Sequence, residues 1–140
     1  MNNFSTMPLR FRAWDKEDEK LIYEAEKAYD YLRPDPYPIL SDSFGDLIEN
    51  DRYIISQDTG LKDKNGKSIY TGDILEDFNK AKIIVFFVNA SFYGREMRTG
   101  NSYLLYNWWF DPYSPAHRGN YELPEVVGNI WEGPELLEEK

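Results

Sequence analysis

Asp63, Asn65 and Asp73 carry the oxygens that a hard cation would accept, and they fall within one short stretch of this 140-residue chain. A calcium loop needs oxygen ligands at alternate positions, then a glycine, then a closing bidentate glutamate. Asp63-Lys64-Asn65-Gly66-Lys67 stops after the second ligand and has no closing glutamate, so it reads as a turn. Lys62, Lys64 and Lys67 are the densest cationic group and have the charge to meet phosphate, but Asp63 sits among them. Gly60-Leu61-Lys62 is no phosphate-cradling loop, because it lacks the first glycine and the hydroxyl after the lysine. His117 is the only histidine and there is no cysteine, so a tetrahedral metal site has no ligand set. The expectation is no metal and no cofactor.

The 25 acidic residues guarantee chance carboxylate pairs, so pairing alone is no sign of acid–base catalysis. Serine nucleophile elbows and zinc spacings are absent. Asp15, beside Trp14, and Asp73, beside Gly72, have the character of residues that cap backbone donors at turns. The expected class is therefore a protein that is not an enzyme. The side chains best suited to hold a partner are aromatic: Trp108, Trp109, Phe110 and Tyr113. Adjacent strand residues face opposite ways, so Trp108 and Trp109 cannot both enter one core unless the chain bends. An exposed aromatic is a typical interface anchor.

The elements that would position these residues are mostly strands. Leu9 to Trp14 alternates apolar and charged, which puts Leu9, Phe11 and Ala13 on one face and Arg10, Arg12 and Trp14 on the other. Residues 15–28 have high helix propensity, with Leu21, Ala25, Ala28 and Leu32 spaced as a stripe. Arg33-Pro34-Asp35-Pro36-Tyr37-Pro38 is a stiff connection, since three prolines remove three donors. Residues 43–50 suit a short helix ending at Asn50, and residues 52–56 a strand. Asn65-Gly66 predicts a type I′ hairpin turn. Gly72-Asp73 predicts a second tight turn, and Asn79-Lys80 a third. Residues 81–88 form the most hydrophobic run and predict a central strand buried on both faces. Two more strands should flank Thr99-Gly100-Asn101. Residues 125–130 should close the sheet, with Gly128 at a bulge or barrel corner. Residues 134–137 suit a short helical turn with proline at its first position.

Three segments, in order, resemble motifs of the YopX family of phage and prophage proteins. Phe11-Arg12-Ala13-Trp14-Asp15 resembles the amino-terminal motif. Thr59-Gly60-Leu61-Lys62-Asp63-Lys64-Asn65-Gly66-Lys67, with Ile69-Tyr70 and Gly72-Asp73-Ile74, resembles the central one. Val127-Gly128-Asn129-Ile130-Trp131-Glu132-Gly133-Pro134-Glu135-Leu136-Leu137 resembles the carboxyl-terminal one. Ser56-Gln57-Asp58, Trp131 and Gly133 depart modestly from the pattern, and residues 79–124 match little. The resemblance implies a hairpin with a strand at Leu21-Ile22-Tyr23 and then a short helix over residues 24–32, in place of the long helix that propensity favours. It also implies an α+β fold. An N-terminal β-hairpin and short-helix segment, residues 1–58, would pack on a C-terminal SH3-like antiparallel β-barrel, residues 59–140. No activity is known for the family, so the resemblance supplies no catalytic residues.

Composition narrows the function class. Hydrophobic residues make up 41% of the chain and aromatic ones 16%, enough for a folded interior. Net charge is −9 and both halves are acidic, which disfavours direct nucleic-acid binding. No run reaches membrane-spanning length and no secretory signal is visible, and the lack of cysteine suits a cytoplasmic location. Asn89-Ala90-Ser91 matches a glycosylation sequon without a secretory context to give it meaning. The expected function is that of a non-enzymatic phage or prophage accessory protein that binds an unknown protein partner, with self-assembly into a homo-oligomer as a second mode. The alternatives are a nucleic-acid-associated small-barrel factor using Lys62, Lys64 and Lys67, and an acidic decoy of a host nucleic-acid-binding protein. A carboxylate hydrolase is a weaker reading.

Overall fold

The computed structural model describes residues 9–28, 43–107 and 122–138. The chain divides into two compact units, Met1–Gly60 and Leu61–Lys140. Both are built mainly of antiparallel β-structure. The helical elements with described bounds are α1 (Phe44–Glu49) and two 3-10 turns, Ala25–Lys27 and Pro134–Leu137.

In the first unit, β1 (Phe11–Asp15) lies between β2 (Lys20–Tyr23) and β3 (Tyr53–Lys62). Ala13 stands opposite Ile22 on one side and Ile55 on the other. The hairpin over residues 15–23 forms, and the helix that propensity favours there does not. Asp15 shows why the local signal misleads. Its Oδ1 accepts from the backbone N–H groups of Glu17 (3.0 Å) and Asp18 (3.2 Å), the bonds a helix cap would also make. Leu21 and Ile22 then gain more by pairing with β1 than by continuing a helix. Glu24, with φ 55°, ends β2 and starts a 3-10 turn over Ala25–Lys27. The short helix expected to follow is thus a single turn as far as Ala28, and residues 29–32 lie outside the described ones.

Helix α1 forms as expected and has a complete capping box. Asp46 N donates to Ser43 Oγ (3.2 Å) and Ser43 N donates to Asp46 Oδ2 (3.1 Å). The unit's core is Ala13, Ile22, Ala25, Ala28 and Leu47, with Phe11, Phe44, Tyr53 and Ile55 against it. Two residues depart from the alternation. Leu9 precedes β1 and is exposed. Arg12 is buried, and its guanidinium Nε donates to Ser56 Oγ at 3.0 Å, across the strand pair that sets the two residues opposite each other.

Strand β3 is twice the expected length. Gly60 lies inside it with φ 83°, and its N–H donates to Asp58 Oδ1 at 2.8 Å. It kinks a continuous strand instead of reversing the chain.

The second unit continues with β4 (Ser68–Tyr70), β5 (Asp73–Glu76), β6 (Lys82–Val88), β7 (Ser91–Glu96), β8 (Ser102–Leu104) and β9 (Glu125–Asn129). The last five form one sheet in the order β8-β7-β6-β5-β9. Its core is Ile69, Leu75, Ile83, Val85 and Leu105, packed by Leu61, Phe92, Tyr103 and Val126. The β5–β9 register shifts between Ile74, opposite Gly128, and Leu75, opposite Val126, so Val127 is the extra residue of a bulge.

One turn design occurs twice. At Asp63, the N–H donates to the Lys67 carbonyl (2.8 Å) and the carbonyl accepts from Gly66 N (3.0 Å), while Oδ1 accepts from Asn65 N (2.9 Å) and Lys67 N (2.8 Å). At Asp77, the N–H donates to the Ala81 carbonyl (3.1 Å) and the carbonyl accepts from Lys80 N (3.0 Å), while Oδ1 accepts from Asn79 N (2.8 Å) and Ala81 N (3.0 Å). The left-handed position is Gly66 in the first turn (φ 82°) and Lys80 in the second (φ 66°). Asn65 does not share the positive φ, so the expected type I′ turn is absent here. Asn65 N donates to Asp63 Oδ1, and the hairpin closes through a single left-handed residue, Gly66. A two-residue turn with both φ angles positive occurs elsewhere, at Asn89 (50°) and Ala90 (61°).

Candidate functional site

The β6–β7 hairpin carries two exposed apolar side chains of the second unit, Phe87 and Val88. Ile83, Val85 and Phe87 share one face of β6 and point toward the core side of the sheet. Ile83 and Val85 are buried there, but Phe87 lies beyond the core's reach and is 54% exposed. Val88, next to the turn, is also exposed. The expectation that this run is buried on both faces therefore fails: Ile84 and Phe86 on the opposite face are only half-buried, and Phe87 and Val88 at its C-terminal end are exposed. The strand is central in the sheet, but its tip outruns the core.

Pairing across the hairpin groups the rings. Phe87 faces Phe92, with ring centroids 5.1 Å apart, and Phe86 faces Tyr93, with near-parallel rings 5.7 Å apart. Leu104 of β8 stands opposite Tyr93 and is exposed, as is Tyr106 just beyond β8. The hairpin thus carries one ring pair on each face near an exposed end, with no nucleophile or base among the rings. The signal in the sequence was the length of the apolar run. It exceeds what a core centred on Ile83 and Val85 can cover.

Trp108, Trp109, Phe110, Tyr113 and His117 lie outside the described residues. The cationic group is partly neutralised: Lys64 Nζ lies 3.5 Å from Glu125 Oε2, and Lys62 Nζ donates to Ser68 Oγ at 3.4 Å. Lys67 is exposed.

The oxygens considered for a cation are already engaged. Asp63 is buried, and its Oδ2 accepts from Val126 N (3.0 Å) in addition to the turn bonds on Oδ1. Burial pushes its carboxyl pKa up, but the backbone N–H groups of Val126, Lys67 and Asn65 outweigh that and hold it below the usual range. Asp73 Oδ2 accepts from Tyr70 N at 2.8 Å. Among the described residues, no three His, Asp or Glu side chains stand together as a metal would require.

Asp15 is buried against Arg52, whose Nε and Nη2 donate to its two oxygens at 2.8 and 2.9 Å. That bidentate pair lowers the Asp15 pKa to about 2. Both aspartates flagged in the sequence therefore cap turns. Glu26 is pushed upward by burial and by its hydrogen-bonded neighbour Glu24, and its Oε1 is taken by Phe11 N at 2.8 Å.

The carboxyl-terminal motif builds a wall. The Trp131 ring lies against Gly72, where any Cβ would strike it, and Gly72 itself has φ 88°. Leu136 Cδ1 occupies the space a Cβ on Gly128 would need. These two glycines accept neighbouring side chains, which is the packing reason for glycine at each.

The fold is that of a β-rich protein of two antiparallel sheets in which Asp15, Asp63, Asp73 and Asp77 serve turns. Residues 10–138 match the sequence profile of the family described as YopX protein, and the chain belongs to the YopX family. The structure is similar to the crystal structure of protein EF1440 from Enterococcus faecalis, with 24% identity and a TM-score of 0.58, over 95% of this chain and 100% of that one. It is also similar to the crystal structure of protein yopX from Bacillus subtilis, with 18% identity and a TM-score of 0.51, over 92% of this chain and 98% of that one. No curated protein matches the chain.

Proposed function

We propose that the chain is a non-enzymatic accessory module of phage or prophage origin that works in the cytoplasm by binding another protein. In this reading the second unit is an SH3-like barrel, and the first is an α+β segment that accompanies it. The supporting observation is the exposed aromatic end of the β6–β7 hairpin, where Phe87, Val88 and Leu104 remain accessible beside the Phe86–Tyr93 and Phe87–Phe92 ring pairs. Apolar side chains at an exposed strand end suit a protein interface. Trp108, Trp109, Phe110 and Tyr113 are proposed as a further contact surface. The partner is a second protein, and a second copy of the chain is an additional mode.

The test is co-purification from bacterial lysate with mass-spectrometric identification, comparing the native chain with Phe87→Ala/Val88→Ser and with Trp108→Ala/Trp109→Ala. The native chain should capture a partner near one-to-one stoichiometry that both variants lose. A captured set that is unchanged in both variants overturns the assignment.

A further inference from the structure

The second unit holds a cleft of about 800 Å³ at the opposite end of β6 from the aromatic tip. This size accommodates a few side chains of a bound chain. One wall comes from Lys80 and Lys82, at the β5–β6 turn, and from Met97 and Arg98, which follow β7. The other wall is the C-terminal 3-10 turn with Glu135, Leu136, Leu137 and Glu138. The walls differ in charge. Lys80 and Lys82 share a single carboxylate, Glu76, at 3.3 and 2.6 Å, and Arg98 adds a further positive charge whose guanidinium reaches only the Asn79 carbonyl, at 3.5 Å. That wall is therefore net positive. Glu135 and Glu138 make no ion pair among the described residues, so the facing wall is negative. Met97, Leu136 and Leu137 supply apolar surface between the two.

The cleft is also preformed. Leu136 is held in the notch left by Gly128 and Gly133, and Met97 N donates to the Lys82 carbonyl at 2.9 Å. Neither wall needs to fold for a ligand to enter, which lowers the ordering cost of binding.

We propose that this cleft binds a protein segment that places leucine-like side chains against Met97 and Leu137, with an acidic residue toward Lys80 and Arg98 and a basic residue toward Glu135 and Glu138. The charge pattern selects the occupant. A purely anionic ligand meets repulsion from the glutamates, and a purely cationic one meets repulsion from Lys80 and Arg98. A segment with opposite charges on either side of an apolar pair satisfies both walls. The inference rests on the protein-binding reading, but places a second contact away from the aromatic tip.

The test uses the full chain, labelled with nitrogen-15, titrated with acetyl-Glu-Glu-Leu-Leu-Lys-Lys-amide. The amides of Lys82, Met97, Arg98 and Leu137 should shift. The same peptide with glycine in place of both leucines should leave them unmoved. Arg98→Glu should weaken binding about ten-fold, and so should Glu138→Lys, because each substitution leaves its wall without net charge. Arg98 and Glu138 are both exposed, and unchanged amide positions elsewhere would show that the variants fold. Absence of shifts at millimolar peptide overturns the proposal. So does the same set of shifts with inorganic phosphate alone, which would make the cleft an anion site. Shifts confined to Phe87, Val88 and Leu104 overturn the cleft while leaving the aromatic surface in place.

Discussion

Asp15 shows how a single carboxylate can be read correctly in role and still misplace an element. Beside Trp14 it was expected to cap backbone donors, and it does so for Glu17 and Asp18. The same residue is consistent with a helix start or a hairpin turn, and the pairing of Leu21 and Ile22 with β1 decides between them. What the sequence hid was Arg52, which lies 37 positions away and forms the bidentate pair. That pair sets a pH dependence. The Asp15 pKa in the fold, about 2, is below that of an unfolded aspartate, so folding favours the ionised form. Its contribution is full above about pH 4 and is lost as pH falls through about 2. Arg52 is one-third exposed, so solvent screening reduces the contribution to about 1–2 kcal/mol. Asp15→Asn should therefore lower the urea midpoint at pH 7. The difference from the native chain should shrink as pH drops from about 4 toward 2. A difference independent of pH would show that the carboxylate charge is not what stabilises the turn.

At the scale of elements, turn residues were easier to find than turn types. Asn65-Gly66 and Asn79-Lys80 lie at hairpin turns, as their composition suggested, and Gly72 lies in the turn that leads from β4 into β5. The backbone geometry was decided by side-chain bonds not visible in the sequence pattern. Asp63 and Asp77 each accept two local N–H groups, in turns that close through a single left-handed residue instead of type I′. The opposite case is Asn89-Ala90. Alanine gives no turn signal, yet it holds φ 61° because the Val88–Ser91 pair closes a two-residue loop around it. Left-handed geometry costs a residue with a Cβ about 1–2 kcal/mol, and glycine's greater freedom in the unfolded chain offsets part of the gain on replacing it. Ala90→Gly should therefore raise stability by about 0.5–1 kcal/mol, read as a higher urea midpoint. Ala90 is exposed, so no packing is lost in the exchange. An unchanged or lower midpoint would mean that the turn relaxes in solution to another type.

For the whole molecule, the β-rich character was legible because it rests on alternation, β-branched runs and glycine-bearing corners distributed along the chain. The candidate surface was less legible. The length of residues 81–88 marked a strand, but burial depends on how far the core of Ile83 and Val85 extends, which is a property of the assembled sheet. The net charge of −9 belongs to the whole chain and needs no structure. It bears directly on the nucleic-acid alternative, which depends on Lys62, Lys64 and Lys67. A protein that binds a phosphate backbone releases counterions from it, and needs several unpaired cations on one surface to do so. Here Lys64 already faces Glu125, and Asp63, buried beneath the turn, holds its charge against protonation. The remaining field is negative and repels a polyanion at long range, most strongly at low salt. Neither duplex DNA nor single-stranded RNA should be retarded in a mobility-shift assay at low ionic strength, where any phosphate contact would be strongest. Retardation that fades as salt rises, and that is lost in Lys62→Glu/Lys67→Glu, would show that local cations overcome the global charge and would move the protein to the small-barrel nucleic-acid class.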